Sequence, residues 1–270
     1  MWGGRIMTGC CPHCGKLWRK KHNMDQRIIG EKVDLDYTNV REFFDRRGEN
    51  KQLGSKYNYV LYQDDCPELA VKRDLQEKDK ISRILHLEAG QRVLDIGCGI
   101  GRWGEYLLEK GMYYVGIDGS CKMIERAEGN LKGYPDKKLL AGVFQELPDC
   151  LKMAGEEEPF DLIFVNGVFM YLNDGDYGQA LKDMHTICAG HCELYIKESM
   201  GIEKRLTLDR IYSESLTQDY SAIYRSVAEY RQTLAEEFSS DFRLVKEGRL
   251  FEEELENRAE TTDYYFIWKR

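Results

Sequence analysis

The chain has 270 residues, 39 basic and 47 acidic, for a formal charge of −8, with 42% hydrophobic and 32% charged residues. That length fits one large domain, or one domain with an appendage, and apolar residues recur too evenly for wholesale disorder. No run approaches the ~18 apolar residues of a membrane span, the first thirty residues lack the apolar core of a secretory signal, and the acidic balance disfavours broad contact with nucleic-acid phosphates.

The charge is unevenly spread. Residues 1–30 carry Arg5, Lys16, Arg19, Lys20, Lys21 and Arg27 against Asp25, a balance of +5, so the rest of the chain sums to −13. This reads as a basic, disordered leader before an acidic body, with Met7 and Met24 as alternative starts. Within the leader, Cys11-Pro12-His13-Cys14 looks like one knuckle of a zinc ribbon. A structural zinc takes four ligands, usually from two such pairs, and no second Cys-x-x-Cys exists, so no metal is expected. Nine cysteines, an odd number and mostly scattered, read as reduced thiols in the cytoplasm.

Residues 31–66 are rich in tyrosine and charge and form a separate segment ahead of a body spanning 67–270. A helix is predicted from Pro67, well placed at a first helical position, to His86. Strands and helices then alternate. Val93–Ile96, Tyr113–Ile117, Leu139–Val143, Phe160–Val165 and Cys192–Ile196 are short apolar strands, with helices over 101–110, 121–131 and 176–189 between them. Residues 203–238 read as one or two helices, with Tyr220, Ile223, Tyr224, Val227, Tyr230 and Leu234 on one side. Phe242–Val245 and Tyr264–Trp268 close the chain as strands. Regular β-α alternation predicts an α/β fold with a parallel sheet and helices on both faces.

The informative stretch is Val93-Leu94-Asp95-Ile96-Gly97-Cys98-Gly99-Ile100-Gly101-Arg102. Glycines between a first strand and its helix let the backbone turn sharply and approach a ligand with no Cβ in the way. A dinucleotide fingerprint would put its third glycine at position 102, where Arg102 stands. Asp95 also sits two residues before the first glycine, where a carboxylate suits a cationic ammonium better than a pyrophosphate. A second anchor is Asp118, followed by Gly119 and lying 21 residues beyond Gly97, the offset at which an acid grips a ribose diol.

With these motifs the sequence resembles the class I S-adenosylmethionine-dependent methyltransferases over residues 67–270. Asp95-x-Gly97-x-Gly99-x-Gly101 matches the family's first motif and Asp118 its ribose-binding acid. Gln145-Glu146-Leu147-Pro148 is similar to the loop beside the adenine; the family's usual acid there falls on Val143, leaving backbone or Gln145 for that contact. Phe160–Asn166 is similar to the fourth-strand motif, which puts Asn166 near the methionine moiety. The resemblance implies a Rossmann-like three-layer sandwich, its seven-stranded, mostly parallel sheet having an antiparallel last strand. It implies S-adenosylmethionine as cofactor and S-adenosylhomocysteine as product. The tyrosine-rich segments would act as lids, with 203–238 a helical acceptor cap.

The acceptor expected is a small molecule, methylated on oxygen or nitrogen. Asn166-Gly167-Val168-Phe169 lacks the prolines of enzymes that methylate base amino groups, and no Pro-Cys dipeptide exists for cytosine carbon. Candidate acceptor residues are Tyr57, Tyr59, Tyr171, Tyr220 and Tyr224, with Arg225 available to an acidic substrate. Glu198, following the fifth strand, is the candidate base. Two alternatives stand beside this reading: an RNA methyltransferase docked by the basic arm and Cys11/Cys14 knuckle, and a protein that binds S-adenosylmethionine without turnover.

Overall fold

The structure, a computed structural model, describes residues 27–256 and 258–270. The cysteine knuckle and most of the basic leader lie outside the described residues. The described chain begins with strand β1 (Arg27–Ile29), helix α1 (Tyr37–Glu49) and the single turn α2 (Asn58–Leu61). Helix α3 (Pro67–Ser82) follows, with Pro67 in its first turn and Glu68 beside the positive end of its dipole.

The body then runs β2 (Arg92–Ile96), α4 (Arg102–Leu108), β3 (Tyr113–Asp118), α5 (Cys121–Asn130), β4 (Lys137–Ala141), α6 (Leu147–Met153), β5 (Phe160–Asn166), α7 (Asp174–Thr186) and β6 (Cys188–Gly201). It finishes with β7 (Leu206–Ser213), β8 (Gln218–Tyr224), α8 (Val227–Phe238), β9 (Arg243–Arg249) and β10 (Thr261–Lys269). Local chemistry sets the helix starts. The Ser120 side chain accepts the Met123 N–H ahead of α5, and Ser226 with Glu229 forms a capping box on α8.

The main sheet has seven strands in the order β4-β3-β2-β5-β6-β10-β9. β4, β3, β2, β5 and β6 pair in parallel, while β10 is antiparallel to both β6 and β9. Both faces are covered, which is why the strands are continuous apolar runs rather than alternating ones. Leu94, Val115, Ile163, Val165, Leu194 and Ile196 pack on one face with residues of α6, α7 and α8. Val93, Tyr114, Leu162, Phe164, Tyr195 and Ile267 pack on the other with α3 and α4.

The structure departs from the sequence reading over residues 203–238. Only Val227–Phe238 is helical; Leu206–Ser213 and Gln218–Tyr224 form a β-hairpin, and β1 pairs with its first strand in a small second sheet, β1-β7-β8. Tyr220, Ala222 and Tyr224 alternate along β8 to form one apolar face, which packs with Phe43 of α1 and with Met170 and Tyr171. The β-branched and aromatic residues of this stretch satisfy a strand's period of two once that face has a partner from α1.

Candidate active site

The cavity sits along the ends of β3, β2, β5, β6 and β10, where the parallel strands finish, and encloses about 510 Å³. That volume suits a small ligand pair. Its roof comes from α1 and the turn after it, through Tyr37, Phe44, Val60 and Tyr62.

Over β3 and β2 the lining is glycine and carboxylate. The Asp118 carboxylate at the end of β3 accepts the backbone N–H of Gly99 at 2.9 Å and that of Ser120 at 2.9 Å. These bonds tie the glycine loop to the neighbouring strand and leave the carboxylate with lone pairs to spare. Burial pushes Asp118 up to about 6, with the two N–H bonds opposing it. Asp95 is buried beneath the loop, accepts the Tyr114 hydroxyl at 2.7 Å, and is pushed up to about 7 by burial against that hydrogen bond.

Close approach explains two of the glycines. Gly97 has φ +72°, and a Cβ there would meet Val168 Cγ2 at 2.2 Å; at Gly99, with φ +54°, it would meet Val60 Cγ1 at 2.5 Å. The loop is held from below by Arg102, which pairs with Asp74 at 2.9 Å and with Glu77 at 2.8 Å.

Of the sequence-predicted cofactor residues, Asp95, Gly97, Gly99, Asp118, Gly119, Gln145 and Asn166 line this one cavity. Gly101 lies behind it, at the start of α4, and Glu146 is exposed outside it. Asn166 ends β5 with both amide atoms buried and without a hydrogen-bond partner inside the protein. Its donor and acceptor are both left for groups that enter the cavity.

Of the acceptor candidates, Tyr171 and Tyr220 line the cavity, joined hydroxyl to hydroxyl at 2.9 Å. Four candidates and the base are placed elsewhere. Tyr57 lies outside the lining, with Lys56 and Lys78 over its ring, and Tyr59 is buried with its hydroxyl on the Asn50 carbonyl. Tyr224 stands behind Tyr220, donating to its hydroxyl at 3.3 Å. Arg225 is a brace: it donates to the carbonyls of Phe169 and Leu172 at 2.7 Å each and pairs with Asp174 at 2.7 Å. Glu198 is fully buried away from the cavity, accepting the N–H groups of Val168 and Phe169 at 2.8 and 3.0 Å and that of Met170 at 3.2 Å. A carboxylate turned onto three backbone donors supports the loop after β5 and has no open path to a substrate proton.

Tyr62, of the tyrosine-rich segment read as a lid, lines the cavity, and so do Arg73, Lys197, Ser199, Arg258 and Asp263, which are not among the sequence candidates. Tyr62 bonds to Tyr171 at 2.7 Å, and its φ of +59° turns the chain so that the ring faces inward. A signal for Lys197 and Ser199 did exist: they flank Glu198 on a strand, so they point to the opposite face from it. Nothing in the spacing of Arg73, Arg258 and Asp263 announces that they meet.

Comparison with known proteins agrees with this geometry. Residues 93–190 match the model of a family described as a methyltransferase domain. A phosphoethanolamine N-methyltransferase of Arabidopsis thaliana is 35% identical over 91 residues, covering 33% of this chain and 18% of its own. A demethylmenaquinone methyltransferase of Geobacillus kaustophilus is 29% identical over 125 residues, 44% of this chain and 50% of its own. The chain thus spans half or less of these relatives. Among solved structures, the 1,6-didemethyltoxoflavin-N1-methyltransferase of Burkholderia thailandensis, holding its substrate and S-adenosylhomocysteine, superposes with a TM-score of 0.61 at 14% identity. It covers 93% of this chain and 98% of its own, a likeness of fold. The match of residues 93–190 to a methyltransferase domain, the sheet order, and the glycine loop tied to Asp118 together give the chain the Rossmann-like fold of the class I S-adenosylmethionine-dependent methyltransferases.

Proposed function

We propose that the protein transfers a methyl group from S-adenosylmethionine to an oxygen or nitrogen of a small-molecule acceptor. The observation that carries this reading is the continuity of the cavity, from the Asp118 carboxylate at one end to the Tyr62, Tyr171 and Tyr220 hydroxyls at the other. Asp118 would accept hydrogen bonds from the ribose hydroxyls. Gly97 and Gly99 let the loop turn with positive φ beneath Val168 and Val60, Asp95 would face the methionine ammonium, and the Asn166 amide would bind the polar end of the methionine moiety. When bound, S-adenosylmethionine supplies a methyl on a cationic sulfonium, open to in-line displacement.

The chain's remaining task is alignment and exclusion of water. Burial pushes the Tyr62 hydroxyl up to about 12, so at neutral pH it stays protonated and would orient the acceptor as a neutral group. Burial works to raise Asp263, but Lys197, Arg258 and Arg73 outweigh it and hold the carboxyl well below the usual range, too acidic to act as a base. This supports an acceptor whose nucleophilic atom brings its own available lone pair. The names of the three relatives above, methyltransferases of phosphoethanolamine, demethylmenaquinone and 1,6-didemethyltoxoflavin, support the acceptor class. No helix among the described residues is long and apolar enough to cross a membrane, and the six described cysteines are free thiols, which supports a cytoplasmic setting.

Calorimetry with S-adenosylhomocysteine tests the cofactor assignment. Wild-type protein should bind it and ignore NAD. Asp118→Ala should weaken binding by roughly ten-fold or more, the loss expected for charge-assisted hydrogen bonds. Unchanged affinity with an intact fold would sink the assignment.

A further inference from the structure

We propose that the far end of the cavity is an anion-recognition site, and that the acceptor carries a carboxylate or phosphate group held by Lys197, Arg258 and Arg73. This deepens the methyltransferase reading and rests on it.

The cluster is assembled by strand register. Lys197 and Ser199 are two apart on β6 and share a face, and Ser199 pairs across the sheet with Asp263 of β10. Lys197 Nζ lies 3.2 Å from Asp263 Oδ1, to which the Ser199 hydroxyl donates at 2.8 Å. Arg258 donates to that hydroxyl at 3.0 Å. Arg73, on α3, donates to the Leu255 carbonyl at 3.0 Å and reaches to 3.9 Å from Asp263.

Three cations thus face one carboxylate among the described lining residues of this end. Glu256 stands close by, but it accepts from Thr262 Oγ1 at 2.8 Å and from the Asp263 N–H at 3.3 Å, outside the lining. Even with Glu256 counted, positive charge exceeds negative. The Lys197, Arg73 and Asp263 side chains are each 9% exposed or less, so the excess sits in a poorly solvated place. Such an imbalance is costly unless a counter-charge enters with the ligand. Position fits an acceptor: Lys197 pairs in register with Asn166, so the cluster lies one strand beyond the methionine end of the cofactor groove.

The test uses the full chain saturated with S-adenosylhomocysteine and titrated with sodium phosphate or sodium malonate, against sodium chloride at equal ionic strength. One oxyanion should raise the melting temperature above chloride, and which one does separates a phosphate from a carboxylate acceptor. Arg258→Gln should weaken that oxyanion roughly ten-fold or more while leaving S-adenosylhomocysteine affinity unchanged. Lys197→Met is the second variant, with the same expectation. The proposal is overturned if neither anion stabilises beyond chloride, or if both variants respond like wild type. A parallel titration without S-adenosylhomocysteine completes the test: a response present there and lost on saturation also overturns the proposal, by assigning the cluster to the cofactor's own carboxylate. A protein that binds an oxyanion but not S-adenosylhomocysteine would uphold the cluster and defeat the methyltransferase reading.

Discussion

Glu198 shows how a residue's neighbours decide its role. By position in the chain it stands at the ligand-binding edge of the sheet, where a base belongs; in space its carboxylate turns away and gathers three N–H groups of the 168–170 loop. Burial pushes it up to about 7, against those donors. A carboxyl raised above its ordinary value contributes stability that is fully present below about pH 4.5 and is lost as pH rises through 7. Glu198→Gln keeps one acceptor and cannot ionise. The wild type should therefore lose stability relative to this variant between pH 5 and pH 9, by something on the order of 2–3 kcal/mol, read from paired denaturation curves. Cofactor affinity should survive the substitution. A pH-independent stability difference together with abolished methyl transfer would return Glu198 to the role of base.

At the scale of elements, the loop between β2 and α4 works because two neighbours press against it. Val168, from the loop after β5, fills the space over Gly97, and Val60 of α2 covers Gly99. Gly97→Ala would place a methyl 2.2 Å from Val168 Cγ2 in a conformation, φ +72°, that side chains rarely adopt. It should cost about 1–3 kcal/mol of stability, and it should weaken S-adenosylhomocysteine binding more than Gly129→Ala, on α5, where a Cβ meets nothing within 4 Å. Urea unfolding and calorimetry on both variants would show it; equal effects would mean the loop is not held in this form. Sequence made this loop readable because glycine leaves a signature in composition. It did not disclose that Val60 and Val168 are the residues the glycines accommodate, since they lie 39 positions upstream and 69 downstream of Gly99.

Across the whole molecule, the sheet supplies the floor of the cavity and the chain before residue 67 supplies its roof. Arg47 of α1 ties that roof together, pairing with Asp64 at 2.8 Å and donating to the Tyr59 and Asn58 carbonyls. Because Tyr37, Phe44, Val60 and Tyr62 all face the ligand space, filling it should slow amide exchange in residues 37–62 as well as in the glycine loop. Exchange mass spectrometry with and without S-adenosylhomocysteine checks this; protection confined to residues 95–120 would detach the roof from the site.

The sequence by itself determined the α/β class, the glycine loop and the acid opposite it. Strand and helix periodicities, glycine placement and a fixed offset are local or one-dimensional signals, and covering both faces of a parallel sheet leaves long apolar runs. Tertiary structure decided the rest. Whether residues 206–224 become helix or hairpin depends on the partner their aromatic face finds, and that partner is α1, some 170 residues earlier. The charged cluster at the far end of the cavity is the sharpest case. Arg73, Lys197, Arg258 and Asp263 come from a helix, two strands and a loop: the pairing of β6 with β10 joins Lys197 to Asp263, and the packing of α3 and of the loop before β10 adds the two arginines. The −8 of the whole chain therefore says nothing about the sign of charge at one end of a cavity: net charge is a sum over the surface, whereas a ligand responds to the few groups within hydrogen-bonding reach.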